Sequence, residues 1–240
     1  MLPPNTERVW NFLKDQPALE GFILVGGTAI ALHLGHRLSE DLDFAFPSGR
    51  LPGKRLDALR HIAAEAGFQF TADDDEAAVQ QFLDSPLDLR DFQQDFLVNE
   101  AVKVSFFAPD PPMVKILANP SVARPRVATL SELFKTKCLV SAIRSKTRDW
   151  LDLYFLMHNQ KFSMRDFSQA FREAGIEGQF TIALTRLCSG RPQTDDEGYK
   201  HILPNAPSLE DMTAFFVAQR NQFEIEAAAE AAQRKVGKSP

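Results

Sequence analysis

Residues 25–46, VGGTAIALHLGHRLSEDLDFAF, decide how the rest of this chain is read. The run leading into them, Phe22-Ile23-Leu24-Val25, is apolar, β-branched at two of its four positions and stopped by two glycines, the pattern of a short buried strand. TAIALHL then returns to helix-forming side chains, so the order is strand, Gly-Gly bend, helix. At such a junction the backbone N–H groups of Gly26, Gly27 and Thr28, with the helix N-terminus behind them, can face an anion with no Cβ in the way. Thr28 adds a hydroxyl. Downstream, Asp41 to Phe46 alternates polar and apolar residues and ends at Pro47, as a second strand would. A period of two turns Asp41 and Asp43 to one face, roughly 7 Å apart at Cα. That spacing suits shared coordination of a hard divalent cation, and magnesium takes a few carboxylates plus substrate phosphate oxygens. Gly-Gly after a strand is by itself an ordinary turn, and Asp-x-Asp by itself an ordinary solvated or capping pair. What informs is their conjunction, with thirteen residues, 28 to 40, between Gly27 and Asp41.

Outward from this stretch, Val9, Trp10, Phe12 and Leu13 recur at near-helical spacing in residues 6–16, with Thr6 as the expected N-cap. Residues 54–66 read as an amphipathic helix burying Leu56, Leu59, Ile62 and Ala63 and ended by Gly67. Phe68 to Thr71 is a weak strand, and residues 89–107 form a hairpin with DFQQDFLV and AVKVSFF on either side of Asn99-Glu100. The proline-rich segment from Pro109 to Pro125 marks a change of regime, because the pattern after residue 129 is helical. The expectation is an α+β fold: residues 1–125 as a small mixed sheet flanked by helices, and residues 126–240 as a helical half.

A chain of 240 residues and 26.9 kDa can bury a real core, and 25% charged with 44% hydrophobic residues is the usage of a globular protein. No run approaches the apolar length that spans a bilayer, and MLPPNTERVW lacks the basic and apolar regions of a signal peptide, so a cytoplasmic protein is expected. A net charge of -5 argues against a surface that grips nucleic acid throughout by phosphate contacts, while leaving room for a local basic groove. Cys138 and Cys188 carry no metal-ligand spacing and read as buried free thiols. The acidic runs Asp73 to Glu76 and Asp195 to Glu197 read as solvated loops.

In-line transfer of a nucleotide needs cations at the α-phosphate and donors around the β and γ phosphates. The quoted run resembles the signature of the minimal nucleotidyltransferases, and closely the AbiEii-like branch of bacterial abortive-infection and toxin-antitoxin toxins. The resemblance implies that Gly26, Gly27 and Thr28 form the nucleotide-phosphate loop and that Asp41 and Asp43 ligate magnesium. Arg37 is left with two roles, a phosphate contact or a salt bridge with Glu40 or Asp41. A second stretch, SELFKTKCLVSAIRSKTRDWLDLYFLM, resembles another motif of the same family, in which a lysine precedes Arg-Asp-x-x-Asp; this gives Lys137 and Asp149 catalytic roles. If that stretch is one helix, Lys137, Arg144 and Arg148 form a basic stripe, and Arg148 can pair with Asp152 at i and i+4.

The family further implies an NTP substrate, an acceptor such as tRNA or another cellular target, and a cognate antitoxin protein. One departure stands out. The family's third carboxylate is expected on the strand VKVSFF, where Ser105 stands; serine neither holds magnesium strongly nor serves as a base at neutral pH. Either Asp149, Glu100 or another acid substitutes, or the chain is a catalytically weak module that binds nucleotide or docks a partner.

Overall fold

The computed structural model describes residues 2–82, 86–117, 124–203 and 205–236, and the chain divides into two compact units, Met1–Leu133 and Phe134–Pro240. The first unit opens with helix α1, Pro4–Leu13. Thr6 does not cap it. Pro3 and Pro4 start the helix, since a proline in the first turn gives up no hydrogen bond, and Thr6 lies buried with its hydroxyl donating to the Glu40 carbonyl at 3.0 Å. Strand β1, Ile23–Val25, runs straight into helix α2, Gly26–Leu34, which Gly35 ends in the left-handed conformation, φ 59°. Strand β2 is Leu42–Ala45, so Asp41 stands one residue before it.

Helix α3, Gly53–Glu65, buries Leu56, Leu59 and Ala63, whereas Ile62, expected on that stripe, is 46% exposed. Strand β3, Phe70–Ala72, and helix α4, Glu76–Phe82, follow. Strands β4, Gln93–Val98, and β5, Val102–Phe107, make the hairpin. Asn99 and Glu100 adopt left-handed φ of 50° and 56° in its turn, and the Ala101 N–H donates to the Val98 carbonyl at 3.1 Å. Helix α5, Pro111–Ile116, is capped by the Asp110 side chain and lies inside the proline-rich segment, of which residues 118–123 fall outside those described. Strand β6, Arg126–Val127, pairs parallel with Ile23 and Leu24, so the sheet of the first unit runs past residue 125.

The strands order as β3-β4-β5-β2-β1-β6 in one mixed sheet, with β2 and β5 parallel and the β1/β2 and β4/β5 pairs antiparallel. Alternation then sorts side chains between the two faces. Leu42, Phe44, Phe96, Val98, Val104 and Phe106 point to one face and are buried. There Phe106 meets Phe44, Phe22 and Phe96 at centroid distances of 5.4, 5.6 and 6.2 Å. Each such ring contributes on the order of 1.5–3 kcal/mol by burial. Phe96 is therefore core. The other face carries a row of register partners: Val25 opposite Asp43, Asp43 opposite Ser105, and Ser105 opposite Asp95.

The second unit is helical. Helix α6, Leu130–Ile143, begins at the end of the first unit; helices α7, Thr147–Gln160, α8, Met164–Ala174, α9, Phe180–Ser189, and α10, Leu209–Val236, complete it. Helix α8 shows why the pattern folds as it does. Ser163 and Asp166 form a reciprocal capping box, and Met164, Phe167, Ala170, Phe171 and Ala174 fall on one buried stripe. Cys138 is buried and unbridged, with its thiol pushed well above the usual range by desolvation, while Cys188 is half-buried and also free.

Candidate active site

In the first unit the Gly-Gly-Thr segment is the meeting point. Gly26 sits at φ 73°, and a Cβ there would collide with the Asp43 carboxylate; a Cβ on Gly27 would collide with the terminal guanidinium nitrogen of Arg37. Gly26 therefore requires glycine for its backbone angle as well as its space, while a side chain at Gly27 would have to displace the Arg37 guanidinium. Thr28 is buried, and its hydroxyl bonds the Ser39 hydroxyl at 2.9 Å and the Asp41 carbonyl. The first turn of α2 thus clamps the loop that carries both aspartates.

Asp43 lies half-buried against the N-terminal turn of α2, where the helix dipole and unsatisfied N–H groups favour a negative charge. Asp41 is exposed, and Gly26 and Gly27 are half-exposed, so the bend is not sealed under other residues. Arg37 is buried, with a guanidinium N–H donating to the Leu38 carbonyl at 2.8 Å. The structure thereby gathers Gly26, Gly27, Thr28, Arg37, Asp41 and Asp43 in one place. Ser39 belongs to the run that carries the family resemblance but had no role assigned; the fold puts it beside Thr28.

In the second unit the chain breaks between Ile143 and Thr147, so the expected basic stripe does not form. Lys137 donates instead to Asp149 at 2.6 Å and lies 2.8 Å from Asp152, while Arg144, in the break, reaches Asp149 at 2.8 Å. Lys137, Asp149 and Asp152 are all buried. Burial pushes the Asp149 carboxyl up, but Lys137 and Arg144 outweigh it and hold it below the usual carboxylate range. Arg148 does not pair with Asp152. It binds the Gly198 carbonyl at 3.1 Å and Glu197 at 3.0 Å. Asp152, which the sequence set only against Arg148, joins Lys137 instead; three residues from Asp149 places it on the same helical face.

Ser105 stands half-buried in register with Asp43. Glu100 lies exposed in the hairpin turn, and Asp149 is engaged by Lys137 and Arg144. The donor chemistry of Asp41 and Asp43 fits magnesium: both offer hard oxygens and, among the described residues, no cluster of three or more His, Cys, Asp or Glu offers a complete protein cage. A cation there would complete its shell from substrate.

The first unit is thus a mixed α+β sheet with the Asp43 carboxylate at a glycine bend, and the second unit is helical. The family model described as "Nucleotidyl transferase AbiEii toxin, Type IV TA system" matches residues 10–233, and the chain belongs to that family of nucleotidyltransferase toxins. No curated protein matches the chain in sequence. Among solved structures it is similar to a protein from H. pylori described as a candidate nucleotidyltransferase, at 18% identity and TM-score 0.48, over 92% of this chain and 95% of that one. It is also similar to MenT4, a nucleotidyltransferase toxin from Mycobacterium tuberculosis H37Rv, at 13% identity and TM-score 0.37, over 88% of this chain and 92% of that one. The family assignment rests on the sequence match alone. No helix among the described residues is long and apolar enough to cross a membrane.

Proposed function

We propose that the chain is a magnesium-dependent nucleotidyltransferase that moves a nucleoside monophosphate from an NTP to a hydroxyl of a cellular RNA, tRNA being the acceptor class its family suggests. The observation that carries this reading is the Asp43 carboxylate at the positive end of α2. A nucleotide phosphate drawn to the same helix end would meet that carboxylate, and a divalent cation held between the two would offset their repulsion. Asp41 and Asp43 would hold the cation, which would supply charge neutralisation at the α-phosphate and the leaving oxygens.

Backbone N–H groups of Gly26 and Gly27, with the Thr28 segment behind them, would orient the β and γ phosphates, and Arg37 would back them from beside Gly27. The acceptor oxygen then bonds to the α-phosphorus, the α–β bridging bond breaks, and its electron pair leaves with pyrophosphate. Lys137 and Asp149 are proposed to contribute to the same reaction from the helical unit, as their family motif implies. As a toxin of a type IV system the protein would act in the cytoplasm, restrained by a cognate antitoxin protein.

Titration calorimetry of the full chain with ATP, CTP, GTP and UTP in magnesium tests the site. At least one NTP should bind, about tenfold or more weaker in Asp43→Ala; equal affinity would exclude the metal role. Labelled NTPs with total RNA should then yield labelled RNA, and unlabelled RNA from a chain that binds NTP would favour the nucleotide-binding module that Ser105 suggests.

A further inference from the structure

Asp95 is the unexplained acid of the first unit. It is 4% exposed and stands in register opposite Ser105, which in turn stands opposite Asp43, so the three side chains share one face across three adjacent strands. Directly opposed Cβ atoms lie about 4.5–5.5 Å apart. Ser105 therefore has a carboxylate on either side, one at the glycine bend and one buried. The main chain of Asp95 is satisfied: its N–H donates to the Asp74 carboxylate at 3.1 Å and its carbonyl accepts from Asp73 at 2.9 Å. One carboxylate oxygen accepts from Gln93 at 2.7 Å. The other, Oδ1, is buried with no hydrogen-bond partner. An unsatisfied buried carboxylate oxygen is costly, and a fold that carries one calls for an explanation. The nearest register neighbour able to donate is the Ser105 hydroxyl, half-buried and free to rotate about one bond.

We propose that Ser105 and Asp95 together take the place of the third carboxylate, Ser105 touching the acceptor hydroxyl and Asp95 acting through it as a positioning residue. The inference rests on the transferase reading above. As the acceptor oxygen bonds to the α-phosphorus, its proton passes to Ser105 Oγ while the Ser105 proton passes to Asp95 Oδ1. The electron pair of the broken α–β bond leaves with pyrophosphate. The proton on Asp95 returns to water by the same hydroxyl once product departs. Serine at this position is then a relay to an acid one strand further out, and the orphaned oxygen is the acceptor that the relay requires.

The test is single-turnover and steady-state transfer of labelled NMP to RNA by the full chain, its Ser105→Ala and Asp95→Asn variants, and the double variant. Each single change should lower kcat about a hundredfold, the lower end of a general-base contribution, with KM for the NTP moved less than about twofold. The double variant should be no slower than either single one, as for two members of one unit. Ser105→Asp placed in the Asp95→Asn background should recover part of the loss. A Ser105→Ala protein with wild-type kcat overturns the proposal, as do losses that multiply in the double variant. If Asp95→Asn does not fold, the Ser105→Ala kcat decides. A wild-type chain that transfers nothing sinks the transferase reading instead, and calorimetric NTP binding shows whether the site survives that failure.

Discussion

The chain carries two acidic clusters built on opposite principles. At the glycine bend, Asp41 is exposed and Asp43 half-buried, held in place by backbone space and by the hydroxyl of Thr28. Around Lys137, Asp149 and Asp152 are both buried and face a lysine that is itself buried. The first cluster faces solvent at Asp41; the second meets its charge inside the fold. The difference teaches where a mutation will act: substitutions at the bend should change what the protein binds, and substitutions at the lysine should first change whether the helical unit holds together.

Removing the lysine gives the sharpest break. Lys137→Ala leaves two carboxylates buried without their shared cation, and losing one partner of a buried pair costs about 3–5 kcal/mol. Urea unfolding should show that loss in the helical unit, and a change under about 1 kcal/mol would mean the cluster is wetter than its burial indicates. Gly26→Ala comes next. It forces a side chain into left-handed φ, costing roughly 1–2 kcal/mol, and it displaces Asp43. NTP affinity measured by calorimetry should therefore fall further than the stability loss alone explains.

The smallest effect belongs to Arg144, whose side chain is 47% exposed although it shares Asp149 with Lys137. Arg144→Ala should cost no more than about 1 kcal/mol, as exposed pairs do. Because the folded-state carboxyl of Asp149 is depressed, its contribution is present above the unfolded value near pH 3.9 and is lost as pH falls through the folded value. Acid unfolding of the helical unit should accordingly start at higher pH in Arg144→Ala than in the wild type, and coincident curves would remove Arg144 from the cluster.

The elements around residues 22–46 and the hairpin were legible in sequence because each rests on local rules: a β-branched run stopped by glycine, alternation, and two turn residues that accept positive φ. Thr6, Ile62 and Arg148 were misread for the complementary reason. Each was placed by the geometry of its own helix alone, and for Thr6 and Arg148 the fold supplied a distant partner, the Glu40 carbonyl and Glu197. At the bend, the sequence pointed to Gly26, Gly27 and the aspartates, but that Gly27 makes room for Arg37 is a tertiary fact. Asp152 was within reach of helical spacing. Asp95 was not, since in DFQQDFLV it is one acid between phenylalanines until the partner strand shows which residues stand abreast.

The connection at Asn99, Glu100 and Ala101 joins Val98 to its register partner Val102. With a strand period of two, the number of residues in that connection sets the phase of the whole ladder: it puts Phe96 against Val104 and Asp95 against Ser105. With the same three-residue turn kept, one inserted residue would bring Phe96 abreast of Ser105 and leave Asp95 beside Phe106. The length of that turn therefore dictates which side chain stands beside Ser105, and on the relay proposed above a drift in it would cost activity with every acid still in the sequence.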